Sequence, residues 1–210
     1  MDCLLSTTYF GPIQWYQKLC RFDCFIDDNE RFVKQTYRNR CLIATTQGIQ
    51  ALTVPIEKNE GYGIKDIRIS DHGNWRHLHW NALKSAYGES PFFDYYADDI
   101  HPFFEKKWKY LWNFNWEIMG KMCELLQIED YRLKTQDNKH VPNNLQSSIF
   151  NPQSSKDYRQ AIHPKHPLPD PDFSPKPYYQ VYQQKHGFIP NLSILDLLFN
   201  MGNEAILYLV

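Results

Sequence analysis

The distribution of proline is the feature that most constrains the fold of this chain. Nine of its thirteen prolines lie between residues 142 and 190, among Asn, Gln, Ser and Lys. Proline lacks a backbone N–H and fixes φ, so a stretch this rich in it cannot continue a helix or occupy a central strand. We therefore predict a long irregular excursion over residues 131–186, pinned to the surface by its own aromatic side chains.

The first 70 residues have the alternating pattern of an α/β half. Apolar and β-branched runs bounded by turn residues predict five short strands, at residues 3–7, 24–26, 41–45, 49–56 and 64–69. Gly11-Pro12 opens a helix between the first two strands, because proline suits a first helical turn. That strand, helix and strand predict a βαβ-like unit, and residues 41–56 predict a hairpin.

Residues 71–130 predict a helical half. A helix that follows Asn74 carries an apolar face at helical spacing, formed by Trp75, Leu78, His79, Ala82, Leu83 and Ala86. Further helix starts are predicted at Ser90-Pro91, at Pro102 and at Asn115. Residues 187–210 predict a last helix that docks on the core. The fold class is therefore α/β, a single domain over residues 1–210 with an N-terminal mixed α/β sheet, a helical second half and the proline-rich excursion.

Composition excludes several classes of protein. The 210 residues hold 23 Lys+Arg against 24 Asp+Glu, a net charge of −1, so no basic field is available to engage nucleic acid. Mean hydropathy is −0.60, and no apolar run approaches the ~20 residues of a membrane span. The first residues lack the basic flank of a secretory signal. Five cysteines form an odd, unpatterned set, which favours reduced thiols and a cytoplasmic location.

Two polar segments of the first 40 residues are candidates for ligand binding. The turn from Tyr9 to Gln14 joins the end of a strand to the start of a helix, where unpaired N–H groups favour an anion. The run ERFVKQTYRNR contributes Lys34, Arg38 and Arg40, and guanidinium groups suit carboxylates and phosphates. An ordinary strand–helix turn explains the first segment equally simply. A solvated basic surface is the more common interpretation of the second.

His79 is the candidate general base. Its helix places it on the inward face, and an imidazole gains and loses its proton near neutral pH. A core histidine with satisfied hydrogen bonds is the simpler interpretation of that spacing. The chain has no GxGxxG, GxxxxGK[ST] or GxSxG signature, and its histidines and cysteines lack the spacing of a zinc site. The sequence therefore predicts no metal and indicates no particular cofactor. The segment from His163 to His166 is most simply a rigid surface loop.

Five segments in order along the chain resemble the WbqC-like protein family. They are LSTTYFGPIQWYQK (5–18), FIDDNERFVKQTYRNRC (25–41), QALTVPIEK (50–58), NWRHLHWNALKSAYGESPFF (74–93) and GFIPNLSILDLLFNMG (187–202). The chain departs from that family's opening motif, because Thr7-Thr8 stand where a Gln-Pro pair is usual. The opening strand, turn and helix are also similar in layout to HIGH-type nucleotidyltransferases, but their paired histidines are absent here.

The resemblance implies a role in bacterial surface-polysaccharide (O-antigen) biosynthesis, as a transferase of an amino acid or acyl group onto an amino sugar. On this hypothesis a sugar or nucleotide-sugar is the small-molecule substrate. The composition predicts no nucleic-acid partner and no membrane span. His79 would be the catalytic base. The substrate contacts would come from seven residues, namely Tyr9, Gln14, Lys34, Arg38, Arg40, Asn74 and Tyr87. A non-catalytic ligand-binding or scaffold protein and a nucleotidyltransferase-like enzyme are the alternatives.

Overall fold

The fold was analysed in a computed structural model, which describes residues 2–57, 62–128, 133–135 and 155–210. Its strands are β1 (Asp2–Leu5), β2 (Asp23–Ile26), β3 (Arg40–Thr45), β4 (Gly48–Thr53), β5 (Leu133–Thr135) and β6 (Lys156–Asp157). Its α-helices are α1 (Ile13–Arg21), α2 (Trp75–Tyr87), α3 (Phe93–Ile100), α4 (Pro102–Glu105), α5 (Leu111–Leu125), α6 (Gln183–His186) and α7 (Ile194–Met201).

A parallel sheet organises the molecule. Its strand order is β5-β2-β1-β6, and all neighbouring strands run parallel. The two inner strands, β1 and β2, are apolar and almost wholly buried, as expected for strands covered on both faces. With α1 between them they form the βαβ unit that the sequence predicted. The class is α/β, with a helical second half.

The β3–β4 hairpin is also confirmed, but residues 64–69 do not form a strand. They begin with a 3₁₀ turn, Ile64–Asp66, and continue through isolated bridges at Ile69 and Arg68. The buried residues are Ile64, Ile67 and Ile69. The first two are three residues apart, a spacing that a 3₁₀ turn places on one side. The alternating residues therefore form one 3₁₀ turn followed by a short extended segment, and not a strand.

The helical half follows the predicted order, but Ser90-Pro91 does not start a helix, since α3 begins at Phe93 without a side-chain cap.

Three further corrections concern this half. Leu78 was placed on the buried face of α2, but it is 59% exposed. Pro102 starts only the four-residue α4, because the chain becomes extended at Lys106 before α5 begins. Asn115 does not cap a helix; it lies inside α5, buried, and its side-chain amide donates to the carbonyl of Arg38 over 2.8 Å.

The proline-rich excursion contributes more to the fold than its composition suggests. The described parts of residues 131–186 supply β5 and β6, which extend the parallel sheet at its two edges. The predicted parts at 131–132 and 136–154 lie outside the described residues. The chain then returns to the core as α7, every residue of which up to Asn200 is buried. Ser193 caps α7, and Gly202 (φ 54°) ends it.

Candidate functional site

The strand order defines where a ligand would bind. From β1 the chain proceeds to β2 and then outward to β5, whereas β6 joins β1 on its opposite side. The direction of winding therefore reverses between β1 and β6. In open parallel sheets the crevice beyond the carboxyl ends of the strands at such a switch point is the usual binding site.

Buried polar side chains fill this position. Ser6, the residue after β1, donates its hydroxyl to Glu30 Oε2 over 2.8 Å. Arg38 Nε donates to Glu30 Oε1 over 2.9 Å, and Arg38 Nη2 donates to both Glu30 Oε2 (2.5 Å) and Ser6 Oγ (2.8 Å). Each of the three residues is less than 10% exposed. They form one closed network, which we call the Ser6 cluster.

A second charged group lies beside the Ser6 cluster. Arg159, two residues beyond β6, forms ion pairs with Asp27 at the end of β2 and with Asp157. Asp27 is 6% exposed, whereas about a third of the Arg159 side chain is open to solvent. The charge of Glu30 also acts on Arg159. The carboxyl ends of β1, β2 and β6 therefore meet in one group of carboxylates and guanidinium groups.

Burial changes the acid–base properties of this edge. Desolvation raises the pKa of Glu30 above its ordinary value, although hydrogen bonds from Arg38 and Ser6 act in the opposite direction. A carboxylate that holds its proton more tightly is a better base when it is ionised. Perturbed carboxylates of this kind are concentrated at functional sites.

The loop from His163 to His166 lies near the same edge. Lys165 Nζ donates to Gln35 Oε1, which ties the loop to the segment that carries Arg38. His163 Nδ1 accepts the main-chain amides of Lys165 (3.1 Å) and His166 (3.0 Å). Burial and the nearby charges of His166 and Arg38 lower the pKa of His163. The loop is thus fixed internally and is held to the Gln35 segment.

The amides that open α1, at the end of the turn from Tyr9 to Gln14, are not free to bind an anion. The amide of Ile13 donates to the carbonyl of Leu192 (3.0 Å), and that of Gln14 donates to Asn191 Oδ1 (2.9 Å). The Gln14 side chain is engaged as well, by Asp170. The first turn of α1 is therefore capped by the segment before α7. That segment lies 177 positions away, so no local pattern indicated it.

His79 occupies the environment of a core residue. Its Nδ1 lies 2.9 Å from the hydroxyl of Tyr9, its ring packs edge-on against Trp75, and it also hydrogen-bonds to the main chain of Thr53. It is 6% exposed, and burial lowers its pKa to about 4. The ring is thus held by contacts within the protein. Its role as a base stays a prediction, and this geometry favours a structural role.

The other predicted contacts do not converge on one place. Arg40 Nε donates to Thr53 Oγ1 within the hairpin and not to a residue of the Ser6 cluster. Tyr87 is fully buried and donates to Asp196 Oδ1 over 2.8 Å. Lys34 and Asn74 are exposed. Of the predicted set, Arg38 alone belongs to the Ser6 cluster.

Sequence reasoning missed Ser6, Asp27, Glu30 and Arg159. One signal was present, because Ser6 and Asp27 directly follow apolar strand segments, and the ends of parallel strands meet at one edge. The strand that precedes Arg159 has only two residues, so periodicity could not find it. No group of three or more His, Cys, Asp or Glu side chains capable of holding a metal occurs among residues 2–57, 62–128 and 155–210.

The fold and the site together define an α/β protein with a cluster of polar and charged side chains at the carboxyl edge of a parallel sheet. The chain belongs to the WbqC-like protein family, whose model matches residues 7–208. It is 29% identical to the "Uncharacterized protein Rv1507c" of Mycobacterium tuberculosis (strain ATCC 25618 / H37Rv), over 94% of this chain and 93% of that protein. No solved structure matches it significantly. Within the described residues, no helix is long and apolar enough to cross a membrane.

Proposed function

We propose that this protein is an acyl or aminoacyl transferase that modifies an amino sugar in the biosynthesis of a surface polysaccharide. The observation that most directly supports the proposal is the position of two groups, the Ser6 cluster and the Asp27–Arg159 pair, at the switch point of the sheet. The reaction class and pathway come from the resemblance to the WbqC-like family, and the residues at the edge support them.

The chemistry of the edge suits an amino sugar. An ionised carboxylate accepts hydrogen bonds from hydroxyl and ammonium groups, and a guanidinium donates to hydroxyl or carbonyl oxygens. Asp27 and Arg159 supply both functions side by side, with part of Arg159 open to solvent. In this proposal they hold the acceptor, while Glu30 takes the proton from its attacking group.

The proposed site replaces the earlier candidates for anion binding. Glu30 neutralises the charge of Arg38 in a buried ion pair, so Arg38 attracts an anionic ligand only weakly. Its role in the proposal is to position Glu30. The first turn of α1 has no part in binding, because its amides are already bonded.

Calorimetric titration of the full chain with UDP-glucosamine, and with UDP-N-acetylglucosamine as the blocked analogue, tests the proposal. We expect UDP-glucosamine to bind and the acetylated sugar to bind at least tenfold more weakly. Asp27→Asn should weaken binding by roughly 10- to 100-fold, the loss of one charge-assisted hydrogen bond. Asp94→Asn changes an exposed carboxylate on α3 and should bind as wild type does.

Thermal melting of each variant accompanies the titration, so that unfolding is separated from lost affinity. Arg159→Gln provides a second route to the same question, because it alters the site from β6 rather than β2. Failure of the wild type to bind either sugar contradicts the proposal. So does equal affinity of wild type, Asp27→Asn and Arg159→Gln.

A further inference from the structure

The Ser6 cluster has the geometry of an activated nucleophile. Ser6 Oγ lies 2.8 Å from Glu30 Oε2, within the distance at which a base removes a hydroxyl proton. The indole N–H of Trp15 donates to the carbonyl of Ser6 over 2.9 Å, which fixes its main chain at the end of β1. Ser6 is 9% exposed at the sheet edge. A serine hydroxyl in this arrangement faces its base in a fixed orientation.

The base is in turn held by a third group. Arg38 donates from Nε to Glu30 Oε1 and from Nη2 to Glu30 Oε2, a two-point contact that allows one orientation of the carboxylate. A nucleophile, a base within hydrogen-bond reach and a group that orients the base are the three parts shared by enzymes that use a covalent serine intermediate. All three are assembled here, from the residue after β1, from the loop after β2 and from the segment before β3.

We propose that Ser6 carries the transferred acyl or aminoacyl group as a serine ester between donor and acceptor. This inference rests on the proposed function and specifies its route. The donor is an activated acyl compound of the thioester or acyl-phosphate class. Glu30 is the general base. Arg38 orients Glu30 and also donates from Nη2 to Ser6 Oγ over 2.8 Å.

The two half-reactions balance. In the first, the bond from Ser6 Oγ to the acyl carbon forms and the bond from that carbon to the donor's leaving atom breaks. The serine proton passes to Glu30, which transfers it to the departing leaving group of the donor. In the second, the amino nitrogen of the sugar bonds to the acyl carbon as the Oγ–C bond breaks, and a proton from the amine returns through Glu30 to Ser6.

A purely structural role for the serine explains the same hydrogen bonds, because Ser6 also satisfies a buried carboxylate. The two roles differ in reactivity. A structural serine reacts no faster than the other hydroxyl groups of the protein, whereas an activated one reacts selectively with an electrophile. The reaction of an activated serine also depends on the ionisation of Glu30.

The experiment treats the full chain with a fluorophosphonate probe and locates the adduct by peptide mass mapping. We expect the peptide that contains Ser6 to be labelled, and Ser6→Ala to reduce total labelling at least tenfold. Ser85→Ala removes an exposed hydroxyl on α2 and should leave labelling unchanged. The rate for the wild type should rise with pH as Glu30 ionises.

Glu30→Gln should remove that pH dependence and slow labelling at least tenfold. Where Glu30→Gln lowers the melting temperature, Glu30→Asp keeps the carboxylate and should retain pH-dependent labelling at a reduced rate. Absence of label on Ser6, or a pH profile that Glu30→Gln leaves unaltered, overturns the inference. If UDP-glucosamine still binds in that case, the proposed function stands. If labelling occurs at Ser6 without sugar binding, the proposed acceptor is wrong.

Discussion

Lys18 Nζ lies 2.7 Å from Asp170 Oδ2, and both side chains are buried. Lys18 is on α1, and Asp170 belongs to the proline-rich excursion. The ammonium group also lies 4.3 Å from the ring centre of Tyr158. This ion pair therefore attaches the excursion to the sheet–helix unit next to β6, the strand that leads to Arg159.

Replacement of Lys18 by Met should loosen the contact between the excursion and α1, because Asp170 would remain buried without its cation. Loss of one partner of a buried ion pair costs about 3–5 kcal/mol. We expect a lower free energy of unfolding in urea and faster cleavage of residues 155–180 by limited proteolysis. Lys84→Met removes an exposed lysine of α2 and should change neither measurement. Unaltered proteolysis of Lys18→Met would show that other contacts hold the excursion.

His79→Gln separates a core histidine from a catalytic one. Since His79 packs against Trp75 and Phe104 and bonds to Tyr9, we expect Gln to lower the free energy of unfolding by about 1–3 kcal/mol. Residual transferase or labelling activity should fall only in proportion to the unfolded fraction. An unchanged melting temperature together with a 10²- to 10⁴-fold loss of turnover would instead identify His79 as the base.

The same histidine should make stability depend on pH. Its pKa is about 4 in the folded protein and 6.5 in its ordinary state, so the unfolded chain binds the proton more tightly. Folding free energy from this group is present above pH 6.5 and is lost as pH falls toward 4, up to about 3 kcal/mol. Urea titrations of wild type and His79→Gln between pH 4 and 7 measure the difference. Parallel pH profiles would contradict the assignment.

Asp196 should give the free energy of unfolding the opposite dependence on pH. Burial raises the pKa of this fully buried carboxyl to about 6, although Tyr178 (2.6 Å) and Tyr87 (2.8 Å) donate to it. Because the folded pKa exceeds the unfolded value of 3.8, ionisation opposes folding. Stability from this group is present below pH 4 and is lost as pH rises through 6. Asp196→Asn should therefore lose less stability than wild type between pH 4.5 and 7, by about 1–3 kcal/mol.

Arg38 and Arg40 should differ although they lie two positions apart. Arg38→Ala leaves Glu30 buried without its guanidinium partner and should destabilise the fold by about 3–5 kcal/mol. Arg40→Ala loses a single bond to Thr53 and should cost about 1 kcal/mol. Thermal and urea unfolding measure both. The double variant Glu30→Leu with Arg38→Met removes both charges and should recover most of the lost stability; equal effects of the two single variants would contradict the buried pairing.

Local sequence patterns determined much of this protein. Short apolar runs and Gly11-Pro12 identified β1, α1 and β2, because alternation and proline placement depend on neighbouring residues alone. Helical spacing located α2, and the segments shared with the WbqC-like family identified that membership. The same spacing predicted that Leu78 is buried, and that prediction is wrong. A residue at the border of a helix face is buried only if another element covers it.

The tertiary structure alone decided the site. Ser6 and Glu30 meet because parallel strands β1 and β2 bring their carboxyl ends to one edge. Arg38 reaches the same edge from the segment before β3, 32 positions after Ser6. Arg159 joins them because residues Lys156–Asp157, too short for any periodicity, pair with β1. Asn191 closes the first turn of α1 across 177 positions. Periodicity reports which side of an element faces inward, whereas hydrogen bonds and ion pairs depend on which distant element arrives there.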